Sequence, residues 1–135
     1  MSRYVSDTHA LHWHLKGNPK LSKVAGAIFQ AADAGVHQIV VPAIVLVEFV
    51  YLVEKGRLEP ERVDQLFALL ATPDGSYTVA SLDAAVAQAL RRVPRALVPE
   101  MPDRIITATA LALGLPLITR DGMIRQAGLV LTIWE

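Results

Sequence analysis

The sequence predicts an α/β domain of three layers, in which helices cover both faces of a central parallel sheet of four or five strands. Short apolar runs alternate with longer segments of helical periodicity along all 135 residues, and this alternation is typical of parallel strands joined by helices. Hydrophobic residues make up 53% of the chain, which is enough for a sizeable core. Since no repeat or low-complexity tract interrupts the pattern, residues 1–135 are expected to form one domain.

The predicted strands are short apolar runs that end at a polar residue, a proline or a turn. In chain order they are Arg3 to Ser6, Gln38 to Val41, Tyr77 to Ala80, Leu115 to Thr119 and Leu129 to Ile133. Asp7 follows the first of them, and Asp121 comes shortly after the fourth. Pro42 stops the second strand, because proline has no N–H to donate to a sheet.

The predicted helices fill the intervals between the strands and are bounded by typical start and stop residues. In chain order they are Thr8 to Leu15, Ser22 to Gly35, about Ala43 to Lys55, a segment opened by Glu59-Pro60-Glu61, Leu82 to about Arg92, residues 103–113, and Met123 to Gln126. Ser22, Ser81 and Asp103 are expected to cap their helices with a side-chain oxygen. Val93 to Pro102 contains three prolines and is expected to form an irregular loop beside the functional edge.

Two aspartates bound one helix–strand unit and are expected to lie at the same edge of the sheet. A helix over residues 103–113 rises about 16 Å, and the five strand residues after it return about the same distance. Asp103 and Asp121 therefore meet at the carboxyl edge, where open α/β proteins bind their ligands. Asp7 reaches that edge at the end of the first strand. Each aspartate alone is also explained as a helix N-cap, worth about 1 kcal/mol.

Glu48 is harder to explain as a structural residue. Its neighbours at helical spacing are all apolar: Ile44, Val45, Tyr51 and Leu52. The helix is therefore expected to be buried on most faces. An unpaired carboxylate in such surroundings costs several kcal/mol, which leaves two explanations: an ion pair with a distant arginine, or a bound divalent cation.

The predicted functional residues are four carboxylates, expected as both catalytic groups and metal ligands: Asp7, Glu48, Asp103 and Asp121. Oxygen-only ligand sets suit Mg²⁺ or Mn²⁺. Ions held in this way bind phosphates and activate water for attack on a phosphodiester. Three hydroxyl groups are expected to assist them, although hydrogen bonding to local backbone explains these residues equally well: Thr8, Thr107 and Thr119.

Composition excludes several classes of function. The chain has no cysteine, which rules out disulfides, thiolate catalysis and cysteine-based zinc sites. It has neither an apolar run of bilayer length nor a signal-peptide pattern, so a cytoplasmic protein without membrane contact is expected. Thirteen basic and thirteen acidic residues give zero net charge, so general attraction to nucleic acid is weak and any such binding requires a local basic patch. Five arginines near the predicted site form either this patch or an ordinary solvated surface: Arg91, Arg92, Arg95, Arg104 and Arg120.

The segments that contain the four acids resemble the motifs of the PIN-domain ribonucleases, and among these the VapC-type toxins of prokaryotic toxin–antitoxin pairs. Tyr4-Val-Ser-Asp7-Thr-His-Ala-Leu-His-Trp13 resembles the first motif, and Pro42-Ala-Ile-Val-Leu-Val-Glu48 resembles the second. Residues 102–121, from Pro102-Asp103 to Thr-Arg-Asp121, are similar to the third and fourth motifs together. The resemblance covers the whole chain, in the same order.

This resemblance implies a PIN-like fold and an endoribonuclease that uses Mg²⁺ or Mn²⁺, forms a homodimer and is neutralised by an antitoxin protein. Asp7, Glu48 and Asp103 would be the principal ligands, and Asp121 would complete the set. The alternative hypothesis is a catalytically silent PIN-like module that works by binding a protein or RNA partner. A receiver-like phosphoryl-transfer domain is disfavoured, because it needs an acid at the end of the third strand and Tyr77 to Ser81 offer none.

The first predicted helix contains three histidines and a tryptophan. His9 and His12 share a helix face, whereas His14 points elsewhere, so polar residues at the rim of the cleft are favoured over a zinc site. Trp13 is expected in the core rather than as a base-stacking platform. Two apolar surfaces are expected to contact partners: the helical pair over residues 43–71 with a second copy of the chain, and the loop residues Leu97, Val98 and Met101.

Overall fold

Five short strands form one parallel sheet in the computed structural model, which describes residues 2–135. In chain order they are β1 (Arg3–Ser6), β2 (Gln38–Pro42), β3 (Tyr77–Ala80), β4 (Leu117–Ile118) and β5 (Thr132–Ile133). Their order across the sheet is β3-β2-β1-β4-β5, and every neighbouring pair is parallel. The chain thus starts at the central strand, builds outward to β3 and returns to the other side of β1. The crevice outside the carboxyl ends of β1 and β4 is where open parallel sheets bind ligands.

The connections between the strands are helical. In chain order the helices are α1 (Thr8–Lys16), α2 (Lys23–Asp33), α3 (Ala43–Glu54), α4 (Pro60–Ala71), α5 (Ala84–Leu90), α6 (Met101–Leu113) and α7 (Gly122–Ala127). Ile39, Val40 and Val41 of β2 are all buried. Because successive strand residues point to opposite faces, both faces of the sheet are covered. The predicted three-layer α/β fold with a parallel sheet is confirmed.

Most boundaries agree with the predicted ones, and the exceptions have local causes. β1 and β3 have the predicted bounds, whereas β4 and β5 keep only two residues each. Ser22 caps α2 as expected. The prediction that Ser81 caps α5 is wrong, because the carboxylate of Asp83 accepts the N–H of Val86 at 3.1 Å and starts the helix two residues later.

Helix α6 begins earlier than the sequence suggests. Glu100 occupies the N-cap position without a side-chain hydrogen bond, and Pro102 lies inside the first turn, where its missing N–H has no helical partner to lose. Asp103 is therefore a first-turn residue. The prediction that its side chain caps the helix is wrong, and the carboxylate is free for another role.

The loop before α6 folds back on itself. The N–H groups of Leu97 and Val98 both donate to the carbonyl of Pro94 at 3.0 Å. This turn directs Val98 into the core, while Leu97 and Met101 remain exposed. Val98 is thus unavailable to a partner, contrary to expectation, and the other two residues retain that prediction.

The apolar sequence of α3 is only partly matched by burial. Val45 and Phe49 lie in the core, but Val47, Val50 and Tyr51 are exposed. Four further α3 residues are partly buried and pack against the core: Ile44, Leu46, Leu52 and Val53. The prediction of a helix buried on most faces therefore holds except for this one exposed stripe. Exposed apolar stripes of this kind are typical of protein–protein contacts. None of the helices within residues 2–135 has both the length and the hydropathy needed to cross a bilayer.

Asp33, at the end of α2, links three elements on the side of the domain formed by β3. Its Oδ1 accepts the phenolic O–H of Tyr77 at 2.7 Å, and its Oδ2 lies 2.9 Å from Nε2 of His14 in α1. The His14 ring also stacks on Phe29, with a centroid separation of 4.6 Å. Burial, and then the hydrogen bond and charge of Asp33, raise the pKa of Tyr77, so the phenol stays protonated and keeps donating.

Tyr77→Phe is expected to lower the free energy of unfolding by about 1 kcal/mol, the usual net value of one buried hydrogen bond. The aromatic ring still fits, so only the bond to Asp33 is lost. Urea denaturation measures the change. Tyr4→Phe, a half-buried tyrosine on β1 outside this bridge, is the matched control. Equal effects of the two substitutions would show that the bridge does not stabilise the fold.

Candidate active site

A cleft opens at the carboxyl edge of the sheet, where β1 and β4 lie side by side. Its volume is about 290 Å³, and six residues line it: Asp7, His9, Trp13, Asp103, Arg120 and Asp121. Three of the four predicted acids therefore face one space, although they come from the ends of two strands and the first turn of α6. Their convergence follows from the parallel sheet, which brings the ends of its strands to one edge.

Asp7 is held from both sides. Its Oδ1 accepts the N–H of Ala10 at 2.8 Å and so caps α1, while its Oδ2 accepts the hydroxyl of Thr119 at 2.6 Å. The residue is buried. Burial raises its pKa to about 6, although both hydrogen bonds oppose this change. Asp7 is thus a fixed carboxylate that titrates far above its usual range.

Thr119 connects Asp7 to Asp121. Its hydroxyl donates to Asp7 and accepts the backbone N–H of Asp121 at 3.0 Å. The Oδ1 of Asp121 in turn accepts the N–H of Ile124 at 2.9 Å and caps α7. The N-cap explanation therefore applies to Asp7 and Asp121, but each cap coexists with a place in the cleft. Of the three hydroxyls expected near the site, Thr119 is the one that orders two of its acids.

Asp103 bears most of the mutual repulsion in the cleft. Its pKa is raised to about 7, first by burial and then, in decreasing order, by the negative charges of Asp121, Glu48, Asp7 and Glu100. As a half-buried residue with no capping role, it is the acid that a cation would relieve most. A site that concentrates perturbed carboxyl groups in a cleft is a typical functional site.

Glu48 lies at the side of the cleft and is half-buried. The hydroxyl of Thr8, the first residue of α1, donates to its Oε1 at 2.5 Å. The alternative explanation, an ion pair with a distant arginine, is not observed, since the ion pairs formed within residues 2–135 are His14–Asp33 and Lys16–Glu59. Glu48 is not among the residues that line the cleft and instead lines a second groove along α3. Thr8 therefore links the second predicted acid to the helix that Asp7 caps.

Two residues predicted for the site are used inside the fold instead. The hydroxyl of Thr107 donates to the carbonyl of Asp103 one turn earlier, at 2.7 Å, which is the local alternative considered for it. The guanidinium of Arg104 donates to the carbonyls of Val93 and Leu90 at 2.9 and 3.2 Å. Arg104 therefore holds the loop that leads into α6.

Of the remaining arginines, Arg120 is the one that lines the cleft. Arg91, Arg92 and Arg95 are exposed near the end of α5 and in the following loop, and Arg91 donates to Gln88 at 3.2 Å. These three side chains are not among the residues that line the cleft. Of the predicted basic patch, one arginine thus lies beside the acids, and three others lie outside the cleft.

The three histidines of α1 point in three directions. His9 is exposed at the cleft, whereas His14 lies against Asp33. Both ring nitrogens of His12 are buried without a hydrogen-bond partner in residues 2–135, and burial, then the charges of Lys16 and His9, lower its pKa. The three side chains therefore do not converge on one zinc site, in agreement with the interpretation of their spacing in the sequence.

Trp13 was expected in the core but lines the cleft and is half-buried. Ala10 and Leu11 take the core-facing positions of α1. Trp13 and His9 are four residues apart and share another face, where their ring centroids lie 5.7 Å apart. In the sequence, the four-residue spacing between His9 and Trp13 was the signal that could have placed Trp13 at the cleft.

The donor chemistry of the cleft fits a hard divalent cation. The candidate ligands are carboxylate oxygens, and the raised pKa values of Asp7 and Asp103 reflect buried negative charge that lacks compensation. No three histidine, aspartate or glutamate side chains of residues 2–135 surround a common point at binding distance. Mg²⁺ commonly takes one or two carboxylates and keeps several water ligands. The site therefore suits an ion whose coordination is completed by water.

The model of the PIN domain family matches residues 4–129. The chain belongs to the PIN domain family. The match spans both halves of the sheet and includes all four candidate acids. PIN domains are generally nucleases, so membership indicates a hydrolase that acts on nucleic acid. No curated protein matches the sequence.

Solved structures with the same PIN fold include toxin–antitoxin complexes. VapBC2 from Rickettsia felis, bound to a DNA fragment from its promoter, has a chain with a TM-score of 0.72 and 16% identity, and the match covers 98% of this chain and 99% of that chain. A toxin–antitoxin complex from Klebsiella pneumoniae has a chain with a TM-score of 0.65 and 22% identity, and the match covers 98% of both chains. VapBC-5 from Mycobacterium tuberculosis has a chain with a TM-score of 0.62 and 19% identity, and the match covers 100% of both chains. Identities this low establish a shared fold.

Asp103→Asn is expected to stabilise the metal-free PIN domain at neutral and alkaline pH. The pKa of Asp103 is about 7 in the folded protein, against 3.8 for an aspartate in an unstructured peptide. Because the folded state binds the extra proton between these values, stability is complete below about pH 4 and declines as the pH rises through about 7. Asparagine removes this decline. Urea denaturation in EDTA at about pH 8 should show the variant more stable by about 1–3 kcal/mol.

The difference should shrink as the pH falls from about 8 and vanish below about pH 4, where the carboxyl becomes protonated in the unfolded state as well. Asp64→Asn, at an exposed position of α4, is the control and should leave stability nearly unchanged at every pH. Added Mg²⁺ should stabilise the unsubstituted protein more than the Asp103 variant. A variant less stable than the parent in EDTA at alkaline pH would contradict the assigned repulsion.

Proposed function

We propose that this PIN domain is a divalent-metal-dependent endoribonuclease that hydrolyses RNA phosphodiester bonds, and that it is the VapC-type toxin of a toxin–antitoxin pair. The observation that carries the proposal is the meeting of Asp7, Asp103 and Asp121 in one cleft at the β1–β4 crevice. Family membership supports nuclease chemistry. The oxygen-only donor set supports Mg²⁺ or Mn²⁺.

Such an ion supplies charge neutralisation at the phosphate and activates water for in-line attack. Residues of the protein hold the carboxylate oxygens in place. Asp7 is fixed by the N–H of Ala10 and the hydroxyl of Thr119, so its oxygens are set before a ligand arrives. The cap of α7 uses one oxygen of Asp121. Preorganised groups of this kind lower the barrier because they need no reorientation during the reaction.

Asp103 and Glu48 complete the proposed ligand set from the other side. The charges of the other three acids all act on Asp103 and raise its pKa. Glu48 is oriented by the hydroxyl of Thr8. Because Thr8 follows Asp7 directly, one turn of chain positions two of the four acids. Arg120 lies beside the acids and is proposed to contact phosphate, with Arg91, Arg92 and Arg95 binding the RNA farther along.

The partners proposed are an antitoxin protein and a second copy of the chain. Support for the antitoxin comes from the solved structures that share the fold, which are toxin–antitoxin complexes. Support for the dimer comes from the exposed apolar residues of α3 and α4, among them Val47, Val50 and Phe67. Apolar surface of this kind is stabilised by being covered. The protein is proposed to act in the cytoplasm, where RNA and antitoxin are both present.

The unsubstituted protein is expected to cleave single-stranded RNA in Mg²⁺ or Mn²⁺ and to lose this activity in EDTA. Asp103→Asn should lower kcat/KM by at least about 100-fold, a loss typical when a group that stabilises the transition-state charge is removed. Cleavage of a labelled RNA, followed on denaturing gels, measures both effects. Asp64→Asn should cleave as the parent does. Full activity of the Asp103 variant would refute the proposed site.

The second candidate function is a catalytically silent PIN module that works by binding its partner. One observation favours it: both oxygens of Asp7 already have protein donors, and no three acids of residues 2–135 are grouped around one ion position. A protein that co-purifies with a small antitoxin and cleaves no RNA after its removal, with Mg²⁺ or Mn²⁺ present, would establish this alternative.

A further inference from the structure

Trp13 occupies a place in the cleft that the acids do not explain. It lines the same space as Asp7, Asp103 and Asp121 and is half-buried rather than enclosed in the core. Its ring packs against Trp134, with centroids 5.9 Å apart and an interplanar angle of 59°. This contact restrains the indole ring of Trp13. A rigid indole is thus presented to the ligand space beside the carboxylates.

The indole is surrounded by groups that bind π-faces. The guanidinium carbon of Arg120 lies 5.6 Å from its centroid, and Nζ of Lys20 lies at 5.9 Å. The His9 ring lies 5.7 Å away at an interplanar angle of 31°. Cations gather at an aromatic face because its quadrupole is negative there. The same face accepts a nucleobase, and the same cations can reach the phosphates on either side of that base.

The charge balance of the cleft makes such a platform useful. The net charge of the chain is zero, and three aspartates share the cleft, so general attraction for RNA is absent and phosphates are repelled locally until a cation binds. Stacking of a neutral base on Trp13 gains free energy without opposing this charge. It requires a base that is not stacked and paired in a duplex, since proteins stack on unpaired, splayed bases.

We propose that Trp13, with Arg120 and His9 at its sides, forms a stacking subsite for one unpaired nucleobase next to the scissile phosphate. The inference rests on the proposed ribonuclease function and deepens it by defining the substrate as single-stranded RNA. The subsite tolerates any base, because every base has a π-face. Arg120 leaves the indole when the base arrives and contacts the adjoining phosphate. Trp13 is a substrate-binding residue and takes no part in bond cleavage.

The test measures affinity without cleavage. All proteins carry Asp103→Asn and are assayed in EDTA, which prevents cutting and removes one repelling charge. The probes are fluorescein-labelled hexauridylate and an abasic RNA of the same length, which keeps the phosphates and lacks the bases. Fluorescence anisotropy compares Trp13 with Trp13→Leu and Trp13→Phe. Leu131→Ala is the control for loss of an exposed apolar side chain, because Leu131 is exposed and lies outside the cleft lining.

Trp13→Leu should weaken binding of hexauridylate by about 5- to 100-fold, the range for loss of one base–aromatic stack. It should leave binding of the abasic RNA unchanged. Trp13→Phe should recover most of the lost affinity, because phenylalanine still stacks. Leu131→Ala should bind both probes as the parent does. The subsite would be overturned if Trp13→Leu bound hexauridylate as tightly as the protein with Trp13 does. It would also be overturned if Trp13→Leu lost the same affinity for both probes, which would show a general structural role of Trp13.

A second measurement covers the case in which Trp13→Leu does not fold. The chain has two tryptophans, so Trp134→Phe leaves Trp13 as the sole indole. Hexauridylate should quench its fluorescence and the abasic RNA should quench it much less. Equal quenching by the two probes would contradict stacking.

Failure of the subsite and failure of the proposed function remain distinguishable. Metal-dependent cleavage by the unsubstituted protein, together with unchanged affinities in Trp13→Leu, would remove the subsite and leave the ribonuclease. Absence of cleavage with the predicted affinity differences would remove the ribonuclease and leave a single-strand binding site.

Discussion

The carboxylate of Asp7 is the interaction on which the rest of the cleft depends. It is buried, and burial of a carboxylate is tolerated only when donors satisfy its oxygens. One oxygen fixes the start of α1 and the other binds Thr119 after β4. The same group therefore joins the two halves of the sheet at the point where strand order reverses. His9 and Trp13 lie on the helix that this carboxylate caps, and Asp121 follows the threonine that it binds. Asp103 reaches the cleft separately, on α6.

The convergence of the aspartates could be predicted, because it follows from lengths and topology. A helix and a strand of matched rise return Asp103 and Asp121 to one edge, and a parallel sheet brings Asp7 there as well. Their local roles could not be predicted. The capping role of Asp103 depended on where α6 begins, and Pro102 is accommodated inside the first turn rather than before it. The sequence permits both starts, and tertiary contacts with the preceding loop select one.

Burial was the least predictable property, since it depends on which elements pack together. Glu48 was expected in apolar surroundings, yet the apolar residues at 47, 50 and 51 face outward. Trp13 was expected inside and lies at the cleft. Periodicity locates the faces of a helix and leaves open which face the sheet will cover. Long side chains add a further ambiguity, since Arg104 reaches backbone carbonyls that sequence patterns do not single out.

The bond between Asp7 and Thr119 spans 112 residues of sequence, and so does the bond between Ser22 and the carbonyl of Trp134. Contacts of such separation form late in folding, after the loop between them has closed. During synthesis β1 leaves the ribosome long before β4 exists, and the sheet cannot be completed until β4 and β5 have been made. A nascent chain thus holds its acids apart. The cleft is therefore complete only after β4 has paired with β1 and brought Thr119 to Asp7.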